Sequence, residues 1–140
     1  MEAFTEEKLK SSEKSVVYCW ASWCSPCKDY LPILRRVERH LPHVKFLSLD
    51  CSIPKDLPFK TPEIKKKSGE LEVGMKLKEY EIAEYGLTLP SLFFFRDGEI
   101  LTFNRPDGIR VFQITGLHRS VRELQKICKN IFTKGIVVGE

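Results

Sequence analysis

The chain has 140 residues, 42% of them hydrophobic and 30% charged, with 23 basic against 19 acidic side chains for a formal charge of +4. That balance fits a single domain over 1–140 with its own buried core, and excludes a disordered chain or a small scaffold that needs disulfide staples. The charge is too mild to imply nucleic acid, and the longest strongly apolar stretch, S-L-F-F-F at 91–95, is far too short to span a bilayer.

The opening stretch, M-E-A-F-T-E-E-K, is acidic and has no apolar core, so no signal peptide is expected. Phe4 to Ser11 reads as a short helix, with Thr5 as its cap and Glu6 and Glu7 in the first turn, where they complement the helix dipole. Ser15 to Ala21 is a continuous apolar run rich in β-branched and aromatic residues, the pattern of a strand buried on both faces. Lys28 to His40 carries Tyr30, Leu31, Leu34 and Val37 at helical spacing, and Pro32 inside it is expected to kink the helix. Val44 to Asp50 is a second strand, and strand–helix–strand over this length implies a right-handed parallel βαβ unit.

Three prolines (54, 58 and 62), the turn at Lys65-Lys66-Lys67-Ser68-Gly69 and an alternating Leu71, Val73, Met75, Leu77 suggest an insertion with a small hairpin. Glu79 to Tyr85 reads as helical. Ser91 to Arg96 is a third buried strand, Asp97-Gly98 a hairpin turn, and Ile100 to Phe103 the returning fourth strand. A turn at Pro106-Asp107-Gly108 precedes Val111 to Thr115, which alternates as a fifth strand. Ser120 to Phe132 closes the chain as an amphipathic helix with Val121, Leu124, Ile127, Cys128 and Ile131 on one face.

The chemistry concentrates in W-A-S-W-C-S-P-C-K, residues 20–28. A C-x-x-C spacing serves both zinc sites and redox sites. Cys24 falls where the first apolar strand ends and the long helix begins, and the free amides and partial positive charge of a helix N-terminus stabilise a thiolate there. Cys27, one turn on, is positioned to attack a mixed disulfide formed at Cys24, and Pro26 suits the first turn, which has no use for its missing N–H. For zinc, Cys24-x2-Cys27 followed by His40-x2-His43 approaches a finger pattern. The histidine gap is one residue short, Pro42 interrupts it, and a full helix would hold the two pairs roughly 20 Å apart. No metal is expected, and His40 and His43 read as ordinary residues at a helix end.

Of the other cysteines, Cys19 in the first strand and Cys128 on the last helix read as core residues. Cys51 sits at the C-terminal end of a strand, the edge where such sheets place their sites, which keeps a third redox thiol open as the lesser reading. The odd cysteine count without secretory context favours a reducing compartment, so a soluble, cytoplasmic protein is expected, and it is read as a monomer. Lys65-Lys66-Lys67 lacks interleaved aromatics and reads as a solvated turn, with a partner-docking patch as the alternative, rather than a nucleic-acid patch.

W-C-S-P-C-K after an apolar strand resembles the thioredoxin family, whose usual motif has glycine in place of Ser25. Pro32 matches the proline that kinks that family's active-site helix, Leu89-Pro90-Ser91 its cis-proline loop, Asp97-Gly98-Glu99 its hairpin turn, and Gly116 its glycine after the last strand. The resemblance covers about 15–51 and 79–132. It implies an α/β thioredoxin fold, a central mixed sheet of about four to five strands flanked by helices, with insertions near 52–78 and 104–110. It also implies a redox-active Cys24–Cys27 disulfide without other cofactor, with Cys24 as nucleophile and Cys27 as resolving thiol. Trp23, Ser25, Pro26, Leu89 and Pro90 would line the substrate surface. Disulfide-containing proteins would be the substrates, in electron transport and cell redox homeostasis. Electrons would come from a separate reductase of the thioredoxin-reductase type, since no G-x-G-x-x-G fingerprint is present. The departures are Tyr18 where the family buries an acid, Phe46 where it often has a strand lysine, and an expected absence of the usual first strand. They keep open a binding or adaptor module on the same scaffold, and a reductase dedicated to one partner.

Overall fold

A computed structural model describes residues 1–53, 57–60, 89–104, 110–115 and 120–135. In chain order the elements are β1 (Glu2–Ala3), α1 (Glu6–Lys10), β2 (Lys14–Trp20), α2 (Ser25–His40), β3 (Lys45–Asp50), β4 (Ser91–Arg96), β5 (Glu99–Ile100), β6 (Phe103–Asn104), β7 (Arg110–Val111), β8 (Ile114–Thr115) and α3 (Val121–Lys134). The main sheet runs β1-β3-β2-β4-β5, and β8 also pairs with β4. Strand β3 lies parallel to β2 with Tyr18 opposite Ser48, and β4 lies antiparallel to β2 with Tyr18 opposite Leu92. This is the thioredoxin fold, a mixed sheet with its βαβ unit first.

Alternation along each central strand sends side chains to two different cores. Val16, Tyr18, Phe46, Leu92 and Phe94 face α2 and α3, meeting Leu34, Val37, Leu124 and Ile127. Val17, Cys19, Leu47, Leu49, Phe93 and Phe95 face the other way, toward Leu9 of α1 and the partly buried Phe4 and Phe59. Phe59 packs edge-on against Phe93 and Phe95, at 5.1 and 5.0 Å between ring centroids. The continuous apolar runs of β2 and β4 are explained by this burial on both sides.

The helices end where their residues dictate. The Thr5 hydroxyl accepts from the Lys8 amide at 3.1 Å, the Ser120 hydroxyl from the Glu123 amide at 3.1 Å, and Gly135 closes α3 in the left-handed region at φ 67°. Asp97 and Gly98 both have positive φ, 52° and 82°, as a tight β4–β5 hairpin requires. Pro32 lies inside α2, which continues through it.

Three expectations change. The first strand is present: β1, two residues long, pairs in parallel with β3 at Leu47 and Ser48. A strand that short has no periodicity to read. The fourth strand, expected over 100–103, divides: Glu99 and Ile100 stay on β4, while Phe103 and Asn104 leave to pair with β7. The fifth, expected over 111–115, divides likewise, Val111 joining β6 and Ile114 returning to β4. An alternating pattern records which face is buried, not which neighbour supplies the hydrogen bonds. The expected hairpin over 71–77, the turn at 65–69, the helix over 79–85, the turn at 106–108 and Gly116 lie outside the described residues.

Candidate functional site

The C-terminal ends of β2 and β3 meet the N-terminus of α2, and the two cysteines stand at that junction. Cys24 is the N-cap of α2, extended at φ -93° and ψ 101°, and its sulfur accepts from the Cys27 amide at 3.2 Å. Cys24 and Cys27 are joined as a disulfide with their Cα atoms 5.3 Å apart. Both are buried, Cys24 to 5% exposure and Cys27 to 2%. When the bond opens, the Cys24 sulfur occupies the position where free amides and the helix dipole favour negative charge.

The surroundings fall into an exposed rim and a packed underside. Ser25 and Pro26 are exposed on the first turn of α2, and the Trp23 ring is 57% exposed with its indole N–H donating to the Ser52 carbonyl at 3.0 Å. Leu89, sixty-two residues after Cys27 in sequence, packs with Trp20 against the cluster of Ala21, Cys24 and Cys27. The Leu89–Pro90 bond is cis, and Pro90 is buried beside it. The fold thus brings Leu89 to the cysteine pair; Pro32, further along α2, is exposed.

Several contacts had no signal in the sequence. The Tyr18 hydroxyl, buried, donates to the Cys27 carbonyl at 2.8 Å, tying β2 to the first turn of α2. Its ring meets Tyr30 edge-on at 6.0 Å. Burial, with Cys19 adding a smaller effect, pushes the Tyr18 phenol up to about 12, so it is a neutral donor at ordinary pH. Phe46 fills the core on the same face of the sheet. On the other side of the loop, Ser52 accepts from the Ser22 amide at 2.8 Å, and both its amide and its hydroxyl donate to Asp50. A short polar sequence at 50–52 therefore braces the loop that carries Trp23.

Cys19 and Cys51 are fully buried on the far face of the sheet, where they contact each other; burial first and Cys51 second push the Cys19 thiol well up. Cys128 is also buried, its thiol pushed up to about 12 by burial. Both Cys19 and Cys128 are core residues, as their apolar neighbours predict, and Cys51 joins them. His40 lies at the far end of α2 from the cysteines, and among the described residues no group of three or more His, Cys, Asp or Glu side chains is arranged to hold a metal ion.

Beneath the disulfide, between α2 and the sheet, lies a cavity of about 280 Å³ bordered by Tyr18, Trp20, Cys27, Lys28, Arg35 and Ser48 among others. Lys28 and Arg35 are exposed, so the cavity reaches solvent along that face of the helix.

A cysteine pair joined at the head of the first long helix, with a cis-proline segment packed nearby, defines a protein of the thioredoxin-fold class. The family model for thioredoxin matches residues 1–66. A thioredoxin of Rickettsia bellii is 37% identical over 59 residues, which cover 41% of this chain and 56% of the relative. One of Rickettsia typhi is 29% identical over 99 residues, covering 69% of this chain and 71% of the relative. Among solved structures, mitochondrial thioredoxin 3 of Saccharomyces cerevisiae in its oxidised form aligns with a TM-score of 0.54, at 20% identity over 93% of this chain and 94% of the other. A mutant thioredoxin from Halobacterium salinarum aligns with a TM-score of 0.52, at 15% identity over 92% of this chain and 86% of the other. The structural likenesses carry the fold, and the chain spans about half the length of the first of these sequence relatives. The chain is thus similar to thioredoxins in fold, and over its N-terminal half it matches their family model.

Proposed function

We propose that this protein is a thiol–disulfide oxidoreductase that reduces protein disulfides through Cys24 and Cys27, within a single thioredoxin-like domain. The observation that carries the reading is the Cys24–Cys27 disulfide at the N-cap of α2. In the reduced protein, the Cys24 thiolate attacks a substrate disulfide, forming a mixed disulfide and releasing one substrate thiolate. Cys27, held one helical turn away and more deeply buried, attacks Cys24 and releases the second. Two electrons pass from the cysteine pair to the substrate, and a separate reductase of the thioredoxin-reductase type restores the dithiol.

Exposed Trp23, Ser25 and Pro26, with the partly buried Leu89 beside the cysteine pair and the buried Pro90 shaping its backbone, would be the surface against which an extended substrate segment lies. The relatives' thioredoxin identity supports this reading, and a soluble cytoplasmic monomer acting in redox homeostasis is its natural setting. No helix among the described residues is long and apolar enough to cross a membrane.

Insulin-disulfide reduction with a chemical dithiol as electron source tests it. Wild-type protein is expected to accelerate the reaction, Cys24→Ser to lose that acceleration entirely, and Cys27→Ser to lose it while accumulating a mixed disulfide on Cys24. Equal inertness of all three proteins would favour the adaptor reading instead. Trapping with Cys27→Ser separates a general reductase, which captures many proteins, from one dedicated to a single partner.

A further inference from the structure

The cavity beneath the disulfide bears on how Cys27 becomes a nucleophile, an inference that rests on Cys27 being the resolving thiol. Of the cavity's titratable neighbours, Lys28 and Arg35 on α2 are cations, and Tyr18 on β2 is a neutral phenol whose proton already goes to the Cys27 carbonyl. Ser48 on β3 is uncharged, and Leu89 of the cis-proline segment packs against the cysteine pair outside the cavity lining. Met1 also borders the cavity, and its amino group is ion-paired to Glu38 at 3.1 Å. Asp50, at the end of β3, lies outside the lining and receives the Ser52 amide and hydroxyl. Among the described residues, then, no carboxylate or imidazole borders Cys27 from this side. The space is large enough for several waters, and the phenol, the serines and the cations supply polar partners for them.

We propose that the Cys27 thiol gives its proton directly to water in this cavity, and that Lys28 and Arg35 act as a positive rim stabilising the thiolate as it forms. The step balances without a protein base. The Cys27 S–H bond breaks and its proton passes to water. The thiolate then forms a bond to the Cys24 sulfur, and the Cys24–substrate S–S bond breaks with its electron pair leaving on the substrate sulfur. That sulfur takes a proton from solvent. Lys28 and Arg35 act only through charge on Cys27, so their effect falls on the ionisation rather than on packing. Two exposed, screened cations are each worth a few tenths of a unit, about 0.5 in total.

Stopped-flow reaction of the reduced protein with 2,2′-dipyridyl disulfide, a neutral probe, resolves the steps. Attack by Cys24 releases one pyridinethione, and resolution by Cys27 releases the second. The rate of the second release is expected to rise with pH as one ionisation. Lys28→Gln/Arg35→Gln is expected to slow it about threefold at pH 7 and to raise its midpoint by about 0.5, and added salt should slow the wild type in the same direction. Ser48→Asp, which brings a carboxylate to the same cavity, is expected to add a second ionisation and to speed the step severalfold near pH 6–7. A second ionisation already present in the wild type would overturn the proposal. So would an unchanged rate and midpoint in the Lys28/Arg35 variant. Release of a single equivalent by the wild type would remove the two-cysteine reading itself, and the proposal with it.

Discussion

Replacing Tyr18 by Phe deletes one atom, the hydroxyl oxygen 2.8 Å from the Cys27 carbonyl, and leaves in place the ring that meets Tyr30. At pH 7 the loss is that of one buried neutral hydrogen bond, about 1 kcal/mol. The pH dependence distinguishes this bond from simple packing. In the unfolded chain the phenol ionises near 10, and in the fold burial raises it to about 12. A raised value makes the stabilisation fully present below pH 10 and progressively lost as pH climbs toward 12. Two units correspond to at most about 2.7 kcal/mol, an upper bound for a phenol beside a cavity that reaches solvent, so about 1–2 kcal/mol is expected. Urea unfolding of both oxidised proteins, followed by far-ultraviolet circular dichroism from pH 7 to 11, should show Tyr18→Phe less stable at pH 7. The gap should then narrow above pH 10, as the wild type alone loses this contribution. Equal midpoints at pH 7 with parallel curves above pH 10 would refute the reasoning.

The Cys128 thiol, pushed up to about 12 by burial, gives a related expectation. Its stabilisation is complete below the unfolded value near 9 and lost as pH rises to 12, so Cys128→Val should flatten the alkaline decline in stability by about 1.4 kcal/mol per pH unit over that window. An unchanged slope would show that the thiol does not titrate on unfolding. At the loop, Ser52→Ala removes the acceptor of the Ser22 amide and a donor to Asp50. A cost of about 1 kcal/mol is expected, with amide exchange at Ser22 about fivefold faster and insulin reduction slowed severalfold. Exchange at the wild-type rate would mean that the brace is not holding the loop.

The cysteine pair, its seat at a strand-to-helix junction and the three central strands are legible in the residues alone. Each is local: β2 and β4 are runs of apolar residues buried on both faces, α2 has helical spacing, and Asp97-Gly98 accepts the positive φ values that the hairpin needs. Cys19 and Cys128 belong with them, since an apolar neighbourhood in sequence foretells a buried thiol. What depends on a chain returning from far away is decided only by tertiary structure. Glu2 and Ala3 are a strand because β3 lies beside them, and 99–104 divides between two partners because β4 and β7 compete for its hydrogen bonds.

The site divides the same way. Residues 20–28 place both thiols, since three residues of helix hold Cys27 one turn from Cys24 whatever surrounds them. Tyr18, by sequence a departure with no evident partner, becomes intelligible when β2 and α2 pack and bring its hydroxyl to the Cys27 carbonyl. Leu89 reaches the disulfide only when β4 docks against β2. A cavity has no sequence signature, because it is the space that separate elements leave between them. The cysteine pair was therefore written locally, while the surroundings of Cys27 were set by how helix and sheet close on each other.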